Sequence, residues 1–85
     1  MNSACTARFW QLLNALPRDV QLLAKKNYEL WDADPRHPSL HFKQLTGKVW
    51  SVRVGQHYRA LAEVDGPEVT WLWIGHHAEY DRLIR

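Results

Sequence analysis

Between Lys48 and Ile74 the chain reads as alternating runs, KVWSVRV, YRALAEV and VTWLWI, broken only at Gly55-Gln56-His57 and around Asp65-Gly66-Pro67. Breaks this short join antiparallel neighbours, because a parallel return needs a crossover of a dozen or more residues. The block therefore has to be an antiparallel meander, and the rest of the chain has to cover one of its faces. In the first run Trp50, Val52 and Val54 face one way, and Val49, Ser51 and Arg53 the other. In the last run Leu72 and Ile74 share one face, and Trp71 and Trp73 share the other. The aliphatic pair suits the covered face, which puts both tryptophans on the open side with Arg53. Gly75 is expected to break this strand, and HAEYDRLIR to form a short final helix.

The cover is helical. In TARFWQLLNAL the apolar positions Phe9, Leu12, Leu13 and Leu16 follow the 3-4 spacing of a helix, and Thr6 is placed to cap it. Pro17 ends that helix and opens the next, where a missing N–H is harmless. From Arg18 to about Ala33, Val20, Leu23, Ala24, Asn27 and Trp31 trace one face, with Leu30 beside it. Helices joined this tightly form an antiparallel hairpin. Pro35 and Pro38 then forbid a continuing helix and favour an extended loop. MNSAC reads as a fraying terminus or a brief edge strand. The expected fold is α+β: an N-terminal helical hairpin packed on an antiparallel sheet, with a short C-terminal helix.

At 85 residues the chain is expected to form one domain, 1–85, burying roughly 60–65% of its unfolded surface. The 11 Lys and Arg against 9 Asp and Glu permit a nucleic-acid partner without arguing for one, so the case rests on where the charges lie. The single Cys5 excludes an internal disulfide and fits a reducing compartment. No apolar run reaches the ~20 residues of a membrane span, and the N-terminus has no apolar signal core. A cytoplasmic location, with no membrane partner, is expected.

The open face carries the chemistry. If Gly55, Gln56 and His57 form a three-residue loop, Arg53 opposes Arg59 directly; a two-residue loop would put them on opposite faces. Opposed like charges destabilise a sheet, and an anion between them reverses that sign. Trp71 and Trp73 could stack bases or guanidinium planes there. The chain then brings His76, His77 and Tyr80 to the rim. Arginines, a histidine and a tyrosine around one concavity can bind a phosphodiester, stabilise its transition-state charge and move protons without a metal. Each residue also has a plainer use. Arg53 can be a solvated strand residue, and Arg59 a partner for Glu63. The tryptophans can simply pack, one of His76 and His77 can cap the helix while the other lies on the surface, and Tyr80 can lie on the first helix. The histidine and cysteine spacings fit no zinc pattern, so no metal and no cofactor are expected.

The segments LPRDV, DPRHPSLHFKQLTGKVWSVRVGQHYRAL and WLWIGHHAEYD resemble the RelE/ParE superfamily of bacterial toxins from type II toxin–antitoxin systems. The most specific parts are W-S-V-R-V-G-x-x-Y-R-A and the closing W-I-G-x-H-x-x-Y-D. The resemblance implies a microbial-ribonuclease-like α+β fold with a first strand at Ser3 to Cys5. It also implies a cognate antitoxin partner, as a hetero-oligomer. For the RelE branch it implies a metal-independent endoribonuclease that cuts mRNA on the ribosome and so inhibits translation. Arg53, Arg59, His77 and Tyr80 then match the family's functional positions, Arg59, His77 and Tyr80 as catalytic and Arg53 as a substrate contact; Ser51, His76, Trp71 and Trp73 are further candidate substrate contacts on the open face. Ser51 stands where RelE has a lysine, and His77 where it has an arginine. The alternatives are a ParE-like inhibitor of DNA gyrase and a catalytically inactive, antitoxin-binding relative.

Overall fold

The structure is a computed structural model and describes residues 2–85. In chain order its elements are β1 (Asn2–Cys5), α1 (Ala7–Asn14), α2 (Arg18–Ala33), a 3-10 turn at Pro38–Leu40, β2 (Lys43–Thr46), β3 (Val49–Val54), β4 (Tyr58–Asp65), β5 (Glu68–His76) and α3 (His77–Leu83). The sheet order is β1-β5-β4-β3-β2. The expected meander β3-β4-β5 forms its centre, and the α+β arrangement is as the periodicities require.

The ends of the helices explain themselves locally. The Thr6 hydroxyl accepts from the Phe9 N–H at 3.1 Å and starts α1. The Gln21 side chain donates to the Leu16 carbonyl at 2.9 Å and to the Asn14 carbonyl at 3.3 Å, so α2 closes the orphaned end of α1.

The sheet departs from expectation at both edges. β1 is a strand, but it runs parallel to β5, with Ser3 opposite Val69 and Cys5 opposite Trp71, so the sheet is mixed. Four residues without alternation carry no sign of direction. At the other edge β2 forms just after the expected loop, in a stretch to which no element was assigned; its one half-buried residue is Leu45. Within that loop Pro38–Leu40 turns inward and drives Leu40 into the core, where it is 1% exposed.

The β3–β4 hairpin has the three-residue loop. Val54 pairs with Tyr58, and Arg53 with Arg59. Gly55 makes this possible at φ 65°, and a Cβ there would sit 2.5 Å from Leu23 Cδ2 of α2. Gly55→Ala should therefore lose about 1–2 kcal/mol in urea unfolding at unchanged slope. Gly66→Ala, at φ 60° with open space around it, isolates the backbone part of that loss.

The main correction lies in β5. Leu61 pairs with Trp73, but its neighbour Ala62 pairs with Trp71, leaving Leu72 as an extra residue in the ladder. This bulge flips the side-chain phase. Trp71 therefore joins Ile74 in the core, at 4% exposure, instead of facing the arginines. There its ring meets Trp31 at 5.1 Å, Phe9 at 6.5 Å and Phe42 at 6.5 Å between centroids. Trp73 keeps its expected face. β5 also continues through Gly75 to His76. Gly75 serves packing: a Cβ there would lie 2.6 Å from the Trp73 ring, which lies over it.

Candidate functional site

The face of the sheet away from the helices carries Ser51 and Arg53 on β3 and Arg59 on β4. Alternation places them there, and the three-residue loop sets the two arginines side by side. α3 closes one end. Its first residue, His77, donates its backbone N–H to the His57 carbonyl at 2.8 Å, so the helix starts against the hairpin tip. One helical turn then carries His77, Tyr80 and Asp81 to the same side. Together these residues line a cavity of about 230 Å³ with His41 and Lys43. That is smaller than the roughly 300–1,000 Å³ of pockets enclosing a drug-sized ligand. It suits one phosphodiester linkage.

Five of the eight sequence-picked residues thus come together: Ser51, Arg53, Arg59, His77 and Tyr80. Three do not line the cavity. Trp71 is in the core. Trp73 lies on the same face, over Gly75. His76 is spent at the helix start, where its Nδ1 accepts from the Ala78 N–H at 3.1 Å, the plainer capping use.

The cavity also contains residues that periodicity did not pick. Lys43 is the register partner of Ser51 across β2 and β3, and it was hidden because β2 itself was. His41 reaches the site from a left-handed backbone at φ 46°, a conformation in which histidine is enriched among non-glycine residues. Asp81 was legible: it stands four residues after His77, one helical turn on. Its Oδ2 is 3.8 Å from His77 Nδ1.

Lys43, Arg53 and Arg59 outweigh the single carboxylate of Asp81, so the cavity favours an anion. Arg59 Nη1 donates to the Tyr58 carbonyl at 2.7 Å, which fixes its guanidinium. Arg53 Nε is buried with no protein partner among the described residues. Such a donor costs about 1–3 kcal/mol, and an anionic oxygen would satisfy it. Tyr80 is 6% exposed, so its ring is held by packing. Burial raises the Cys5 thiol above its ordinary value, which keeps it protonated and a poor nucleophile.

On the helix side a second, apolar groove of about 650 Å³ runs between α1, α2 and the sheet. Trp10, Leu22 and Tyr28 stand exposed at it. No helix among the described residues is long and apolar enough to cross a membrane.

The model of the ParE-like toxin domain matches residues 18–82 of the chain. None of the curated proteins matches by sequence. Among solved structures, the fold is similar to a RelB-RelE antitoxin-toxin complex from Methanococcus jannaschii at TM-score 0.74 and 18% identity, covering 95% of this chain and 98% of that one. It is similar to a YoeB/ParE toxin from Agrobacterium tumefaciens at TM-score 0.70 and 15% identity, covering 91% and 99%. The isolated E. coli RelE toxin matches at TM-score 0.66 and 15% identity, covering 99% and 98%.

Proposed function

The chain belongs to the RelE/ParE superfamily of toxins, and from that premise we propose that it is a ribosome-dependent endoribonuclease acting on messenger RNA. The observation that carries this is the meeting of Arg53, Arg59, His77 and Tyr80 in one linkage-sized cavity. A ribose 2′-oxygen attacks the adjacent phosphorus and the P–O5′ bond breaks. The products are a 2′,3′-cyclic phosphate and a 5′-hydroxyl. One proton leaves the 2′-hydroxyl and one reaches the departing 5′-oxygen. His77 and Tyr80 handle these protons. Asp81 faces Nδ1 of His77, which leaves Nε2 for the substrate.

Arg59 and Arg53 hold the phosphate and the charge that builds on it. Ser51 replaces the lysine that the family resemblance implies there. Lys43, opposite it on β2, returns an ammonium to the same cavity. Trp73, half-buried on the same face, offers a base a ring to stack on. The ribosome supplies the substrate positioning that so small a domain lacks.

The partner is a cognate antitoxin. The apolar groove on the helix side is its proposed seat, filled by an apolar antitoxin segment. Trp31 and Trp71 lie at the floor of that groove, and Trp10, Leu22 and Tyr28 stand exposed along it.

A second reading, a gyrase inhibitor, is favoured by the ParE-like description of the matched domain. Purified ribosomes programmed with a defined message separate the two. The expected result is cleavage that requires ribosomes and leaves cyclic phosphate and 5′-hydroxyl ends, while gyrase supercoiling proceeds. Intact message with blocked supercoiling would reverse the choice.

A further inference from the structure

Beside the RNA cavity, three imidazoles from two separate segments meet where the β3–β4 hairpin tip touches the start of α3. A ring nitrogen from each of His57, His76 and His77 lies within 4.8 Å of the others. Ring centroids are 6.3 Å apart for His57–His76, 6.3 Å for His57–His77 and 4.4 Å for His76–His77. The backbone beneath them is held. His77 N–H donates to the His57 carbonyl at 2.8 Å, and Tyr58, next to His57, pairs with His76 across β4 and β5.

A tetrahedral zinc with bonds of ~2.0–2.1 Å places its ligand nitrogens roughly 3.3 Å apart. Side-chain rotation can close that gap without moving the strands. Three neutral imidazoles without thiolate or carboxylate suit the borderline divalent ions, Zn²⁺ foremost. Such a set leaves a fourth position for water or another donor. At His77 the Asp81 carboxylate lies 3.8 Å from Nδ1; closing that gap gives the outer-shell hydrogen bond that orients a histidine to bind metal through Nε2. His76 has a competing use, since its Nδ1 caps α3 through the Ala78 N–H. A metal bound to His76 takes that lone pair or forces a proton onto it, so the ion and the cap compete.

We propose that His57, His76 and His77 form a site for one divalent transition-metal ion of the zinc class, and that the bound ion inhibits the toxin by occupying His77. An imidazole lone pair on a metal is no longer available to a proton. The inhibitory half rests on the role proposed above for His77; the binding half does not.

Calorimetry with Zn²⁺, and Co²⁺ absorption as a report of tetrahedral nitrogen ligation, test the binding half on the full chain. Wild type is expected to bind one ion. His57→Gln, which lies outside the RNA cavity, is expected to weaken binding by about 100-fold or more, beyond what loss of an outer-shell partner costs. His76→Asn keeps a capping acceptor and should weaken binding as well, which provides a second variant if the first does not fold. In zinc-depleted buffer His57→Gln should cleave ribosome-bound message like wild type. Equimolar Zn²⁺ should then stop wild type and spare the variant. Absence of one-to-one binding at micromolar Zn²⁺, or binding unchanged in both variants, overturns the site. Binding with cleavage unaffected overturns the inhibition. Binding to a protein that cleaves under no condition leaves the site standing and overturns the ribonuclease reading.

Discussion

Arg59→Ala and His77→Ala will each lower cleavage of ribosome-bound message by about 10²–10³-fold, with the fold intact. The two losses have different physical origins. In the proposed reaction Arg59 holds a fixed guanidinium beside the phosphate, and removing one such donor from a developing oxyanion costs about 10²–10³ in rate. His77 is the proposed proton-transfer group, a contribution typically of 10²–10⁴. Neither substitution empties the core, since Arg59 and His77 are only partly buried. Arg59→Lys should recover little, because an ammonium cannot reproduce the planar fork. Tyr80→Phe keeps the buried ring and removes only the hydroxyl, so a loss of rate there without loss of stability marks the phenol as a participant. Single-turnover cleavage by all four variants, with thermal unfolding in parallel, decides the matter. Rates within a few-fold of wild type would remove these residues from the reaction.

Trp71→Ala will be severely destabilising, and Trp73→Ala much milder, although the two residues lie two positions apart on one strand. Trp71 is 4% exposed and packs against rings from α1, α2 and the segment before β2. Truncating a buried aromatic costs about 3–5 kcal/mol. A chain of this length holds only about 4–13 kcal/mol in total. The Trp71 indole N–H has no acceptor among the described residues to lose, so the cost is packing and burial. Urea unfolding of both variants reads the difference directly. Equal losses, or the reverse order, would deny the bulge at Leu72 that separates their faces.

That pair of tryptophans marks the limit of what patterning can tell. Strict alternation puts residues 71 and 73 on one face, and a single extra residue in the ladder cancels it. Nothing in VTWLWI announces the bulge. With the bulge, the Trp71 indole packs in the core with the small Ala60 and Ala62 and next to Trp31 and Phe42. Of the two registers the sequence left open for Arg53 and Arg59, the three-residue loop led by Gly55 is the one formed, and it admits only the direct pairing. Thr6 held as a cap because capping is decided within four residues. Lys43 and His41 stayed hidden because their segment has no period of its own. It is a strand only because β3 offers it an edge.

The amino-acid order by itself determined the meander and the two helices that cover it, and narrowed Arg53 and Arg59 to two registers, between which the folded hairpin chose. Each of these follows from short-range geometry: a period of two or 3.6, a proline, a glycine at a loop. Tertiary structure alone decided which tryptophan is core, that β1 runs parallel, and that Lys43 and His41 join the arginines. It also decided that His57 meets two histidines from the far end of the chain. These are contacts between segments distant in sequence. They are selected by burial and by the pairing of whole strands, and no local rule encodes that.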